Sequence, residues 1–334
     1  MAFTASDTRS DAENPVVVGF LLIPDFALMS YASAVEPLRA ANVLSGRNLY
    51  RWWHATPGHR PVVASNGIAV LPNVPVGDLD HTPDLLLVCA GGNPTTFSHR
   101  PTIAWLRQLA RRGVTIGGIS GGPYILARAG LLSGRRCTLH WDHVPAFQEA
   151  FPDIKVTQSL YEIDGDRITC SGGIAALDMM VALMARMRGY EFAARVGEWF
   201  VHTQLREGGG SHRMNLRMRH GIADERLAGA LRVMEDNLER PVVRSRLARG
   251  AGVSVRQLER LFRDHLGRSI HRHYLDLRLA HARRLLTESG MPVLSAALGS
   301  GFASASQFSR AYRRRYGQAP SRTAVPMLAA APPR

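Results

Sequence analysis

The chain has 334 residues, 46% of them hydrophobic, which exceeds one ordinary domain and suffices for two buried cores. Its net charge of +14 is lopsided: residues 211–334 hold 23 arginines, no lysine and 9 acidic residues, whereas residues 1–210 balance 18 basic against 18 acidic ones. No apolar run approaches the roughly 20 residues of a membrane helix, and Cys89, Cys137 and Cys170 lie too far apart for a C-x-x-C zinc site or a disulfide framework.

A neutral first part followed by a strongly basic second part predicts a polyanion partner for the second alone. The expectation is a protein of a reducing cytoplasm, with no cofactor, no metal and no membrane contact. Residues 1–14, MAFTASDTRSDAEN, are polar, lack the apolar core of a signal peptide and are expected to be disordered.

In chain order, Val16 to Leu22 is a continuous apolar run closed by Pro24-Asp25, the pattern of a buried parallel strand. An apolar-periodic helix around Ala32 to Leu44 and a strand Tyr50 to Ala55 follow, then a hairpin signal at Ser65-Asn66-Gly67. Asp84 to Cys89 reads as a second buried strand ending in Gly91-Gly92, Thr102 to Arg112 as helix, and Val114 to Ile116 as strand. Gly117 to Pro123 reads as a sharp strand-to-helix turn with Ser120 at its apex. Asp164-Gly165 marks a further hairpin, and Ile174 to Arg188 an apolar helix. Strands alternating with helices predict an α/β sheet wrapped on both faces, with ligands bound beyond the carboxyl ends of its strands.

Gly118-Ile119-Ser120-Gly121-Gly122 satisfies G-x-S-x-G, the nucleophile elbow of serine hydrolases, with Gly91-Gly92 as a candidate oxyanion hole. A hydroxyl needs a base oriented by an acid. His140, His143 and His202 are candidate bases, but no Asp stands out as the orienter.

Together with Ala127 to Arg136, Leu139-His140-Trp141, Phe151-Pro152 and Ser171-Gly172-Gly173, the elbow resembles the PfpI-type, class I glutamine-amidotransferase-like domain of GlxA-type transcriptional regulators. The resemblance covers roughly residues 15–205 and implies a flavodoxin-like fold. Enzymes of that superfamily carry a nucleophilic Cys where this chain has Ser120, and an acid where it has Ser30. The double replacement implies a binding pocket rather than a catalytic one, its helix N-terminus and loop N–H groups holding a small carboxylate. A hydrolase or amidase using Ser120 is the alternative.

Ala27 to Asn42, Leu44-Ser45-Gly46 and Tyr50-Arg51-Trp52 resemble the subgroup that regulates glycine betaine, carnitine or arginine catabolism. Such ligands pair a carboxylate with a cation, which aromatic rings attract. Tyr31, Trp52, Trp53, Trp141 and Tyr161 are available, with Glu36 as a charge partner. The expected ligand-binding set is Ser30, Glu36, Gly91, Gly92, Ser120, Gly121, His140 and Trp141.

Glu207 to Arg213 is glycine-rich and reads as a joint, so 206–222 is expected to be a flexible linker, 223–325 a second domain and 326–334 a tail. In that second domain one short design is written twice. Leu247 to Phe262 and Ala296 to Tyr312 each place a short apolar helix, a Gly, a hydrophobic residue and a capping Ser before an amphipathic basic helix, the anatomy of a helix-turn-helix. With Arg278 to Leu286, Tyr316-Gly317 and Pro320, these motifs resemble the all-α, double helix-turn-helix DNA-binding domain of the AraC family.

Arg256, Gln257 and Arg260 in the first copy, and Ser304, Ser306, Gln307 and Arg310 in the second, are expected to face double-stranded promoter DNA in successive major grooves. The whole chain is thus expected to be a transcriptional regulator and activator, controlled by a small-molecule effector bound in its first domain. Homodimerisation through that domain and contact with RNA polymerase complete the expected partners.

Overall fold

The computed structural model describes residues 14–210, 224–287 and 291–323. Residues 1–13 of the expected disordered start (1–14), residues 211–222 of the expected linker and the expected tail (326–334) lie outside the described residues. The chain divides into two compact units, Met1–His212 and Arg213–Arg334.

The first unit is built on a six-stranded sheet. Its strands are β1 (Val16–Leu22), β2 (Tyr50–Ala55), β5 (Leu85–Ala90), β6 (Thr115–Ser120), β9 (Tyr161–Asp164) and β10 (Arg167–Cys170), in the order β2-β1-β5-β6-β10-β9. Every neighbouring pair is parallel except β9 with β10, which the Asp164-Gly165 turn joins as a hairpin. The Ser65-Asn66-Gly67 turn joins a second small hairpin, β3 (Val62–Val63) with β4 (Ala69–Val70). A two-residue parallel pair, β7 (Arg136–Cys137) with β8 (Lys155–Val156), is too short to leave a sequence signal.

The central strands are apolar throughout because both faces are covered. Val18, Phe20 and Leu22 of β1, with Leu85, Leu87 and Cys89 of β5, pack under α1 (Leu28–Ser45), α5 (Ala175–Arg188) and α6 (Tyr190–Trp199). The alternate residues Leu21, Leu86 and Val88 pack under α2 (Arg100–Arg111), α3 (Gly122–Arg128) and α4 (Val144–Ala150), around the buried Trp105 and Phe147. The period-2 alternation of side chains therefore feeds two cores from one sheet. This is the flavodoxin-like arrangement.

β6 is longer than the sequence predicts. Gly117 and Gly118 continue the strand instead of opening a turn, because the neighbours leave no room for a side chain: a Cβ on Gly117 would meet Leu87 Cδ2 at 2.6 Å, and one on Gly118 the Pro123 nitrogen at 2.6 Å. The glycines let α3 fold back directly onto β5 and β6.

The regular elements of the second unit among the described residues are all helices: α7 (Glu225–Glu235), α8 (Arg244–Gly250), α9 (Val255–Leu266), α10 (Ile270–Thr287), α11 (Val293–Leu298), α12 (Ala305–Tyr316) and α13 (Pro320–Thr323). It has two cores. Leu231, Met234, Leu247, Leu258 and Phe262 form the first, with Ile270 and Tyr274 from the start of α10. Ala296, Ala297, Phe302, Phe308 and Tyr312 form the second, with Leu279, Ala282, Leu285 and Leu286 from its other end. One helix therefore contributes a face to both halves.

Candidate functional site

Ser120 ends β6 in the left-handed region, at φ 61°, and is buried. For a side-chain-bearing residue this backbone is strained by about 1–2 kcal/mol, and it holds the hydroxyl at the carboxyl end of the sheet. Ser30, in the first turn of α1, and Gly172, after β10, meet it there. A Cβ on Gly172 would lie 2.8 Å from Ser120 Cβ and 2.9 Å from Ser30 Oγ, so Gly172, itself at φ 90°, separates the two hydroxyl-bearing residues. Ser30 Oγ accepts the Gly173 N–H at 2.7 Å.

The other predicted residues divide. The His140 N–H donates to the Ser120 carbonyl at 3.1 Å, and the His140 ring lies 5.2 Å from the Trp141 ring. Both rings line a cavity of about 210 Å³ with Leu160, Ser171, Gly172, Gly173, Ile174, Ala175 and Arg206. Ser30 and Ser120 abut its Gly172 but do not themselves line that wall, and neither does Glu36, which pairs with Arg39 at 2.7 Å on α1. Nor do Gly91 and Gly92, whose missing side chains make room for Asp25 and Ala27 at the β1–α1 turn, nor Gly121, which abuts Ala90 and Pro94. Among the proposed cation-binding aromatics only Trp141 lines the cavity. Tyr31 is bonded to His54 at 2.7 Å within an edge-to-face cluster with Phe20 and Phe26; Trp53 packs on Trp105; Trp52 and Tyr161 flank the first core.

The electrostatics argue against an activated nucleophile. Burial lowers the His140 pKa, which Asp142, 3.9 Å away, only partly offsets, and burial together with His140 lowers that of His143 to about 4. Both rings are neutral at pH 7, and among the described residues neither hydrogen-bonds the Ser120 hydroxyl. His202 is committed elsewhere, 2.8 Å from Asp178. Burial pushes the Cys137 and Cys170 thiols up to about 12 and raises Cys89 further, so none offers a thiolate.

Several backbone N–H groups around Ser120 are engaged. Gly121 N–H donates to Ala90, Gly172 N–H to Cys170 Sγ and Gly173 N–H to Ser30, while Pro123 has none to give. The one formally charged residue in the cavity wall is Arg206, which the sequence reading placed at the start of the joint. Its partner is Asp178, a fully buried carboxylate within apolar α5. Asp178 Oδ2 accepts from Arg206 Nε at 3.0 Å and Nη2 at 2.6 Å, and Oδ1 from the Arg206 N–H at 3.0 Å. The legible signal was Asp178 itself, since an acid inside an apolar helix requires a cation.

In the second unit all seven predicted DNA-facing residues are exposed, while Leu258, Phe262, Phe308 and Tyr312 are buried on the opposite faces of α9 and α12. Both helices start on a serine cap, Ser254 Oγ accepting Gln257 N–H and Ser304 Oγ accepting Gln307 N–H, each at 3.2 Å. The two starts are unequal. Gln257 Oε1 also accepts the Ser254 N–H at 2.9 Å, closing a capping box, so Gln257 stabilises its helix start in addition to any contact with DNA. Gln307 closes no such box.

Three guanidiniums converge on Asp276 of α10: Arg268 at 3.0 Å, Arg272 at 3.4 Å and Arg315 at 3.4 Å. Arg315 thus faces a carboxylate rather than solvent alone. Arg278 lies 4.3 Å over the Phe302 ring and donates to the Ser300 and Gly301 carbonyls, fixing the second turn to α10. No described helix is long and apolar enough to cross a membrane.

Comparison with known proteins agrees with both halves. Residues 20–186 match the DJ-1/PfpI family, and residues 247–324 match a helix-turn-helix domain. The chain is 44% identical over 314 residues to the HTH-type transcriptional regulator GlxA of Rhizobium meliloti (strain 1021), covering 93% of this chain and 96% of that protein. It is equally 44% identical to the HTH-type transcriptional regulator CdhR of Pseudomonas aeruginosa, over 93% of each. The crystal structure of an AraC family transcriptional regulator from Pseudomonas putida superposes with a TM-score of 0.51 at 26% identity, over 56% of this chain and all of that one. The exposed recognition helices, the flavodoxin-like first unit and these relatives place the chain in the family of GlxA-type HTH transcriptional regulators, DNA-binding proteins that join a DJ-1/PfpI-type unit to an AraC-type helix-turn-helix unit.

Proposed function

We propose that this regulator is a cytoplasmic homodimer that activates transcription when its first unit binds a small carboxylate-bearing metabolite, a quaternary amine or an amino acid, in the cavity beside Ser120. In this reading residues 15–205 sense the ligand and dimerise, 206–222 connect, and 223–325 read promoter DNA and meet RNA polymerase. The two recognition helices enter successive major grooves, with Arg256, Arg260 and Arg310 on base edges or phosphates.

The observation that carries a sensing rather than catalytic role is the Ser30–Gly172–Ser120 contact: a hydroxyl stands where the superfamily's enzymes have a thiol, and a second hydroxyl, bonded to Gly173, where they have an acid. With no imidazole on Ser120 among the described residues, nothing there accepts its proton.

The rival reading, a hydrolase or amidase fused to a DNA-binding unit, has the left-handed Ser120 backbone in its favour. Ser120→Ala in the full chain separates the two. Sensing predicts unchanged operator binding and no turnover to lose; an ester- or amide-cleaving activity present in the wild type and abolished by Ser120→Ala would establish the enzyme. A bound effector at about 100 times its Kd should add about 2.7 kcal/mol of stability. A panel of betaines, carnitine and basic amino acids that leaves the thermal transition unmoved would refute the effector.

A further inference from the structure

Accepting that the cavity beside Ser120 holds the effector, its wall specifies one end of that ligand. The volume, about 210 Å³, is below the roughly 300–1,000 Å³ of pockets for drug-sized molecules, so the occupant is small. The backbone N–H groups of Gly121, Gly172 and Gly173 are already engaged, and the one formal charge in the wall is a guanidinium.

That guanidinium is presented in a definite way. Arg206 gives its Nε and Nη2 side to Oδ2 of Asp178, whose side chain is wholly buried, while the Arg206 side chain itself is 39% exposed. Nη1 has no partner among the described residues. A planar fork held along one edge by a buried acid offers its other edge to a carboxylate in the paired geometry guanidinium favours.

The same acid fixes the chain around the arginine. Asp178 Oδ1 accepts the Arg206 N–H, and His202 Nε2 lies 2.8 Å from it; two and four residues beyond Arg206, the Gly208 and Gly210 carbonyls accept the Leu160 N–H at 2.8 and 3.0 Å. Residues 202–210 are therefore held on both sides of Arg206, by Asp178 of α5 and by Leu160 of the cavity wall, immediately before the sequence that continues into the second unit.

We propose that Arg206, positioned by Asp178, is the effector-binding residue of this cavity, that it recognises a small carboxylate through its Nη1 edge, and that occupancy is transmitted to residues 202–210. The site then reports binding on the segment that carries the chain out of the sensing unit.

The test uses the full chain with acetate, glycine betaine and L-arginine as probes, each beside its neutral amide or methyl ester, read by thermal shift and by hydrogen exchange of the 202–210 amides. At least one carboxylate is expected to stabilise the wild type and slow exchange in 202–210, and its neutral counterpart to do neither. Arg206→Gln, which keeps a donor toward Asp178, is expected to weaken that carboxylate at least tenfold, and Arg206→Lys to restore part of the loss.

If acid and ester stabilise the wild type equally, the assignment is overturned, and this outcome needs no folded variant. A folded Arg206→Gln protein with wild-type affinity overturns it while leaving the effector reading intact. Silence of every probe on the wild type sinks both.

Discussion

Gly252 and Gly301 occupy equivalent turns of the two helix-turn-helix copies, both in the left-handed region at φ 66° and 73°. Replacing either by Ala imposes the left-handed backbone on a residue with a Cβ, at about 1–2 kcal/mol. The surroundings differ. A Cβ at 252 meets nothing within 4 Å, whereas one at 301 would lie 2.7 Å from the Leu238 carbonyl and from Pro241 Cδ, and 2.8 Å from the Glu239 carbonyl. Two of these three atoms are backbone and cannot rotate away, so an overpacking cost of about 1–3 kcal/mol adds to the strain. Gly252→Ala should therefore cost about 1–2 kcal/mol and Gly301→Ala about 2–5 kcal/mol. In a unit of roughly 100 residues each kcal/mol moves the midpoint by about 4–8 °C, so the second variant should melt at least about 8 °C lower than wild type. Calorimetry of the full chain, with the second unit's transition identified by its shift on adding operator DNA, gives both numbers. Equal losses for the two variants would refute the reasoning, because the contacts of Gly301 with residues 238–241 would then carry no weight.

The capping geometry predicts a dissociation between two similar residues: Gln257→Ala should lower the stability of the second unit by a few tenths to about 1 kcal/mol through the lost box, whereas Gln307→Ala should leave the melt unchanged and act, if at all, on operator affinity. Arg256→Ala with Arg310→Ala should weaken specific binding by about 1–3 kcal/mol per lost base contact, with far-ultraviolet circular dichroism unchanged; unaltered affinity at fixed salt would show that these arginines do not face DNA. His143 is buried with a pKa near 4 against an ordinary 6.5. The unfolded chain therefore binds the extra proton first, so stability is full above pH 6.5 and falls through the window down to pH 4, by roughly 3 kcal/mol at most. His143→Phe should flatten that part of the pH–stability curve of the first unit, and an unchanged slope would assign the acid loss to other groups.

Much of the fold is legible because its residues answer to local rules. Val16 to Leu22 and Leu85 to Ala90 read as strands since burial on both faces makes them apolar without interruption, and Ser254 and Ser304 mark helix starts through a hydroxyl that only a cap requires. Gly117 and Gly118 mislead for the same reason: glycine signals a turn unless a distant neighbour such as Leu87 forbids a side chain, and no local pattern carries that neighbour. The site is legible where it lies on one motif, as with Ser120 and His140-Trp141, and obscure where it is assembled across the sheet. Arg206 meets Asp178 across 28 residues and from a glycine-rich stretch that looks unstructured, and Gly172 is placed against Ser120 by the order of strands β6 and β10, which sequence does not state. Glu36 and the Gly91-Gly92 pair are the converse case, reactive-looking residues that the fold uses for a surface pair and a close turn.

Asp276 has a consequence for selectivity. Each of its three arginine contacts is half-exposed and worth little to stability, about 0–1 kcal/mol. A guanidinium already paired with a carboxylate neutralises less phosphate charge, and so releases fewer of the counterions condensed on DNA, than one left in solvent. We expect this one acidic residue on the shared helix to moderate non-specific attraction to DNA in a unit whose sequence carries 23 arginines. A regulator that must leave the wrong sites quickly to find the right one gains from that restraint: Asp276→Asn should bind random DNA more tightly and discriminate its operator less.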